Sequence, residues 1–226
     1  MNPPKCALVE VDLQRYYIDP SASFRRWTET RAPGAFRYVS ARVRDVVIPS
    51  VLLLRSIFRE RGWPVAYLRL CGTAEDRSDL HRIFCEANRR AAEEGFPDLY
   101  PLSSDPLADI LPEIAPENGD TVFDKTTFSG FASGKFSSWL SEQGIRVLVM
   151  TGLATSQCVD TTARDASDRG YGVIHIEDAQ ADYTPEEHYA SLYASRGVCG
   201  GTVLSAADFR ADPEGLLDAL AKRELL

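Results

Sequence analysis

Apolar positions along the chain fall into short dense runs, separated by stretches in which apolar residues recur every three or four positions. The first run, Cys6-Ala-Leu-Val-Glu-Val-Asp12, is β-branched and closed by a carboxylate, so it reads as a buried strand with Asp12 at its carboxyl end. Residues 64–70, 121–124, 145–151 and 172–177 read as further strands; the one at 145–151 is the clearest, and Gly152 is expected to break it. Between the first two, Val43, Val46, Val47, Val51, Leu54, Ile57 and Phe58 trace a helix over residues 42–61, which Pro49 either kinks or starts. Helical spacing also marks residues 80–94, the stripe Ala132, Phe136, Trp139 and Leu140, the segment from Cys158 to Arg169, and residues 185–197 and 213–223. Residues 18–40 hold Pro20, Pro33, Gly34 and several Ser and Thr around Phe24, Trp27 and Phe36, which predicts a loop suited to act as a lid. Residues 71–120 are rich in Gly, Pro, Asp and Ser, and little function is legible in them.

Strands that alternate with helices, and that do not themselves alternate polar with apolar, predict an α/β fold: three layers, a mostly parallel sheet with helices on both faces, in a single domain over residues 1–226. Ligands in such folds bind outside the carboxyl ends of the strands. Asp12, Lys125 and Cys158 fall at or just beyond three such ends.

Composition narrows the class. The 226 residues are 44% apolar and 26% charged, which suits a folded domain with a substantial core. A formal net charge of -8 argues against a nucleic-acid partner, since phosphate binding needs clustered Lys and Arg. The start of the chain lacks a basic segment followed by a long apolar one, and the longest apolar run elsewhere, Val51–Leu54, is far below the roughly 20 residues of a membrane span, so no membrane partner is expected. Cys6, Cys71, Cys85, Cys158 and Cys199 are odd in number and widely spaced, which fits a reducing, cytoplasmic setting.

Of these cysteines only Cys158 follows a core strand and opens a helix. Unpaired N–H groups at a helix start stabilise a thiolate relative to its usual pKa of roughly 8.5, and they also receive an oxyanion. The other four default to small buried hydrophobes. Asp12 at a strand end needs a partner, because an isolated buried carboxylate is costly; it either caps a turn or takes part in chemistry. A lysine such as Lys125 is most often a solvated surface charge, but here it lies directly after a strand and before the turn-like Thr126-Thr-Phe-Ser-Gly130. Together the three make a nucleophile, a base that stays ionised beside an ammonium, and a counter-charge.

These residues resemble the isochorismatase-like cysteine hydrolases, which include nicotinamidases, N-carbamoylsarcosine amidohydrolases, and biuret and ureidoacrylate hydrolases. Ala7-Leu-Val-Glu-Val-Asp-Leu-Gln14 is similar to the family's first motif, Lys125-Thr-Thr-Phe-Ser-Gly-Phe131 to its lysine motif, and Thr151-Gly-Leu-Ala-Thr-Ser-Gln-Cys-Val159 with Asp178-Ala179 to its nucleophile motif. Glu186–Leu192 is similar to its usual C-terminal helix. The resemblance implies that Cys158 is the nucleophile, Asp12 the general base and then acid, and Lys125 their electrostatic partner. It also implies a cis peptide between Leu153 and Ala154, and an oxyanion hole formed by the backbone N–H groups of Ala154 and Cys158. The implied reaction is hydrolysis of a C–N bond in a small amide, ureido or carbamoyl substrate through a thioester, without a cofactor, in a homodimer or homotetramer.

Two departures bear on the substrate. Arg15-Tyr16-Tyr17 stands where many members have Asn-Asp-Phe, and the metal-binding Asp-x-His of nicotinamidases has no counterpart in Leu68–Asp76. His81, His175 and His188 are too dispersed for a zinc pattern, so no metal is expected and nicotinamide is disfavoured. Gln14, Tyr17, Phe24, Trp27 and Phe131 are candidate substrate-binding residues. Arg25, Arg26, Arg31 and Arg37 either supply a fork for a substrate carboxylate or simply solvate an exposed segment. Two competing readings are a vinyl ether hydrolase led by Asp12, as in true isochorismatases, and a non-catalytic binding protein that retains the fold.

Overall fold

The computed structural model describes residues 5–199 and 202–223. Six strands form one parallel sheet: β1 (Cys6–Val11), β2 (Val65–Leu70), β3 (Thr121–Lys125), β4 (Val147–Leu153), β5 (Gly172–Ala181) and β6 (Thr202–Leu204), in the order β3-β2-β1-β4-β5-β6. The order reverses between β1 and β4, and this switch point is where such sheets open a crevice at their carboxyl ends.

The helices are α1 (Arg15–Ile18), α2 (Ser23–Arg31), α3 (Phe36–Arg42), α4 (Ile48–Glu60), α5 (Arg82–Glu93), α6 (Lys135–Gln143), α7 (Asp160–Asp168), α8 (Pro185–Val198), α9 (Ala206–Ala211) and α10 (Pro213–Arg223). They cover both faces. Cys6 and Leu8 of β1 point into a core shared with α2, α3, α4 and α9, through Phe24, Phe36, Leu54, Phe58 and Phe209. Ala7, Val9 and Val11 point the other way, onto Phe136 and Leu140 of α6 and Ala163 and Ala166 of α7. A strand apolar on both sides is what a sheet buried between two helix layers requires. No helix among the described residues is long and apolar enough to cross a membrane.

Several local expectations are corrected. Residues 18–40 are largely helical rather than a loop: α2 buries Phe24, and the Glu29 carboxylate accepts hydrogen bonds from the N–H groups of Gly34 (2.6 Å) and Phe36 (3.3 Å), tying the Pro33-Gly34 break to the start of α3. The helix read from residue 42 therefore begins at Phe36, and it runs through a π turn at Val43–Val47 into α4. Pro49, the second residue of α4, has no N–H to return to that turn, and the widened coil accommodates it. The short β6 and α9, with its Ser205–Asp208 capping box, carried too few apolar residues to stand out in the sequence.

Gly152 does not end β4. The strand continues to Leu153, with a shift in its register against β5 between Met150 and Gly152. Gly152 sits at φ +111°, opposite Val11 of β1, where a Cβ would lie 2.0 Å from the Val11 carbonyl oxygen. Only glycine allows this approach, which brings the end of β4 against the end of β1.

Candidate active site

Asp12 follows β1 at φ +50° in a sharp turn; its N–H donates to the Leu68 carbonyl (2.9 Å), and its Oδ1 accepts from the Leu70 N–H (3.0 Å). The carboxylate is thus fixed from β2, and Oδ2 is left to meet Lys125 Nζ at 2.9 Å. Lys125, the last residue of β3, also donates to the Thr127 carbonyl (3.0 Å) and to Cys158 Sγ (3.3 Å). An ammonium has three N–H donors, and each has an acceptor here. Asp12, Lys125 and Cys158 are 3%, 2% and 6% exposed, so the three lie together in a nearly dry cluster.

Burial disfavours a charged Lys125, but Asp12 and Cys158 outweigh it and the pKa is raised, so the ammonium persists. Burial, reinforced by the Asp12 carboxylate, pushes the Cys158 thiol up despite the opposing pull of Lys125. The sulfur therefore rests as a thiol next to a base, and the shift is opposite in direction to the lowering that a helix start alone gives. Cys158 in fact lies in a π turn, Thr155–Val159, just before α7. That turn follows a cis peptide between Leu153 and Ala154.

The turn is braced from two sides. Asp182, fully buried just beyond β5, accepts from the Ser156 N–H at 2.6 Å. Thr155 Oγ1 lies 2.8 Å from His188 Nδ1, and His188 Nε2 lies 3.0 Å from an Arg42 Nη2 that also holds the Glu177 carbonyl. Burial, aided by Arg42, takes the His188 pKa down to about 4, so the ring is neutral near pH 7. Arg42 has only donors, which makes Nε2 the acceptor and sends the Nδ1 proton to Thr155. His81 meanwhile caps α5, and His175 bonds Ser195 (3.1 Å), so the three histidines occupy separate settings.

The other candidates divide. Tyr17 and Phe24 join Tyr16, Phe36, Tyr100 and Tyr183 in one aromatic cluster, and Phe131 belongs to the other core, against Phe136 and Tyr171. Gln14 is spent on the backbone: its amide accepts from the Leu70 N–H (2.8 Å) and donates to the Leu70 (3.2 Å) and Ala108 (2.8 Å) carbonyls. Trp27 is on the surface side of α2, with its indole on Glu94 (2.7 Å) and Arg31 over its ring. Arg31 binds Glu94, Arg26 lies over Phe96, and Arg25 donates to the Ile18 carbonyl while lying over Phe36. Asp178 serves the backbone, accepting from Ala206 N–H (2.8 Å).

Sequence reasoning missed Asp182, Tyr100 and Tyr183 as residues of this region. Ending β5 at Glu177 hid Asp182, although a carboxylate closing an apolar run, as at Asp12, was the available signal.

The isochorismatase domain model matches residues 6–208. This chain belongs to the isochorismatase domain family. Isochorismatase-family relatives include the ureidoacrylate amidohydrolase RutB of Variovorax paradoxus, 30% identical over 182 residues, covering 76% of this chain and 67% of that protein. An isochorismatase family protein from Desulfovibrio vulgaris shares the fold with a TM-score of 0.72 at 23% identity, over 92% of this chain and 97% of the other. The N-carbamoylsarcosine amidase of Thermoplasma acidophilum is 25% identical with a TM-score of 0.63, over 89% of this chain and 96% of the other. The parallel sheet with helices on both faces is the isochorismatase-like architecture that the sequence motifs implied.

Proposed function

We propose that this isochorismatase-family chain is a cysteine hydrolase that cleaves a non-peptide C–N bond of a small amide, ureido or carbamoyl compound. The observation that carries the reading is the contact of Asp12, Lys125 and Cys158 around one ammonium. The ureidoacrylate amidohydrolase and N-carbamoylsarcosine amidase relatives support the bond type.

Because the resting thiol is neutral, its proton passes to Asp12 as the sulfur attacks the substrate carbonyl. Lys125 balances the negative charge that moves between carboxylate and sulfur. The N–H groups of Ser156, Gln157 and Val159 are already taken, by Asp182 and the Ala154 carbonyl. We assign the oxyanion, as the family resemblance implies, to the Ala154 and Cys158 N–H groups. On collapse the C–N bond breaks, Asp12 gives its proton to the departing nitrogen, and a thioester remains on Cys158. Asp12 then takes a proton from water as the water attacks, and the second intermediate expels the sulfur, which recovers that proton. The products are ammonia or an amine and an acid, or a carbamate that loses carbon dioxide.

Ammonia release from a panel of primary amides, ureas and carbamoyl amino acids, measured for the wild type and Cys158→Ala, tests the reading. Turnover abolished in the variant is expected. Equal ammonia release by both proteins would overturn Cys158 as the nucleophile.

A further inference from the structure

The aromatic cluster has a second property besides filling space: the Tyr16, Tyr100 and Tyr183 hydroxyls are within electrostatic reach of the Cys158 thiol. Tyr16 and Tyr17 follow Asp12 and Gln14 in α1, and Tyr183 follows Asp182, the residue that holds the nucleophile turn. Tyr100 precedes Pro101, whose carbonyl is bonded by the Gly72 N–H just past β2. All four therefore come from the carboxyl edge of the sheet. Their rings connect: Tyr16 to Tyr100 at 6.2 Å, Tyr16 to Tyr17 at 6.2 Å and Tyr17 to Tyr183 at 5.8 Å. The wall runs on through Phe84 to Phe128, next to the Thr127 carbonyl that holds Lys125.

Tyr17 is 6% exposed, and among the described residues its buried hydroxyl reaches no partner in hydrogen-bonding geometry, although the Tyr183 hydroxyl faces it. A buried phenol ordinarily finds a partner, so an unsatisfied one in a wall beside a nucleophile points to a ligand group that completes it. The charged groups facing these hydroxyls are acidic: Asp12 toward Tyr16, Asp182 toward Tyr17 and Tyr183, and Glu187 toward Tyr183. The cation at the centre, Lys125, already has its three acceptors. Arg25, Arg26 and Arg31 are turned to a carbonyl, to rings and to Glu94. Burial and this acidic company hold the Tyr16 and Tyr17 phenols well above their usual range, as expected where a further anion is unwelcome.

We propose that Tyr16, Tyr17, Tyr100 and Tyr183 form the substrate pocket of Cys158, and that they select a small, planar, uncharged amide or ureide over its carboxylate-bearing analogue. A neutral amide slots between rings and exchanges hydrogen bonds with phenols, whereas a carboxylate there would be buried opposite three acidic side chains, beside a Lys125 whose three donors are already used. The inference rests on the C–N hydrolase reading for its chemistry but not for its binding step.

Two matched pairs separate the possibilities: butyramide against succinamate, and propylurea against 3-ureidopropionate. Calorimetric binding to the full-length Cys158→Ala protein reads the pocket, and ammonia release by the wild type reads the chemistry. The neutral member of each pair is expected to bind, and to be turned over, at least about tenfold better. Tyr17→Phe and Tyr183→Phe should raise KM for the neutral member about fivefold or more with kcat little changed, the split of a lost binding contact. Equal or tighter binding of the acidic members, or an unchanged KM in both Phe variants, overturns the proposal. Selective binding of neutral members without turnover would sustain the pocket and overturn the hydrolase reading instead.

Discussion

The Lys125 ammonium lies 3.3 Å from the Cys158 sulfur and 2.9 Å from the Asp12 carboxylate, so one cation serves two groups that cannot both be anionic without it. Lys125→Met keeps the length of the side chain and removes the charge. Stabilisation of the developing thiolate is then lost, and kcat/KM is expected to fall about 100-fold or more. Steady-state kinetics on folded variant protein checks this, and activity within threefold of wild type would refute it.

Gln14 sits beside Asp12 in sequence but acts as a clamp between β2 and the Ala108 segment. Truncation to alanine takes the amide away from the Leu70 and Ala108 carbonyls and leaves the Leu70 N–H to Asp12 alone, a loss of roughly 2 to 4 kcal/mol. A Tm lowered by roughly 5 to 10 °C is expected by scanning calorimetry. An unchanged Tm with a raised KM would make Gln14 a substrate contact after all.

Gly152→Ala drives a methyl group into the Val11 carbonyl oxygen from a positive φ. The expected effect exceeds about 4 kcal/mol, seen as loss of soluble protein or a Tm drop above about 10 °C. Gly170, also at positive φ but with open space around its Cβ direction, provides the control: Gly170→Ala should lose only about 1 kcal/mol.

Glu10 gives a pH signature. It is fully buried, 3.5 Å from Arg55, with neither oxygen in a hydrogen bond among the described residues, and desolvation outweighs Arg55 to push its pKa up to about 8. The folded pKa exceeds that of the unfolded chain, so the unfolded chain releases this proton first and stability declines as pH rises from about 4.5 through 8. Glu10→Gln removes that decline, while Arg55 keeps Asp120 and the Ala115 carbonyl. Urea unfolding at pH 6 and pH 9 should show a gap narrowed by roughly 3 kcal/mol in the variant. An identical gap in both proteins would remove Glu10 from the account.

Much of this was legible in the sequence because buried parallel strands advertise themselves. The runs ending near Asp12, Lys125 and Met150 needed only their apolar content to be found, and the parallel topology then brought their carboxyl ends to one edge. Legibility failed where structure depends on tertiary contact. Phe24 and Phe36 look like loop residues until their helices meet the sheet, and Glu29 is an ordinary surface carboxylate until it is seen capping α3. The continuation of β4 through Gly152 hinges on a backbone approach that no periodicity encodes. Tyr100 lies in a segment with no readable pattern, and its position beside Tyr16 follows from how the crossover folds back on β2.

The central claim is that Cys158 carries the substrate's acyl or carbamoyl group during turnover. Rapid acid quenching of the wild type during turnover of a hydrolysed panel compound, followed by intact and peptide mass spectrometry, reads this directly. The account predicts a mass increase equal to that group on the peptide containing Cys158, and none in Cys158→Ala. Steady turnover with an unmodified Cys158 at every quench time, together with an active Cys158→Ala protein, would contradict it.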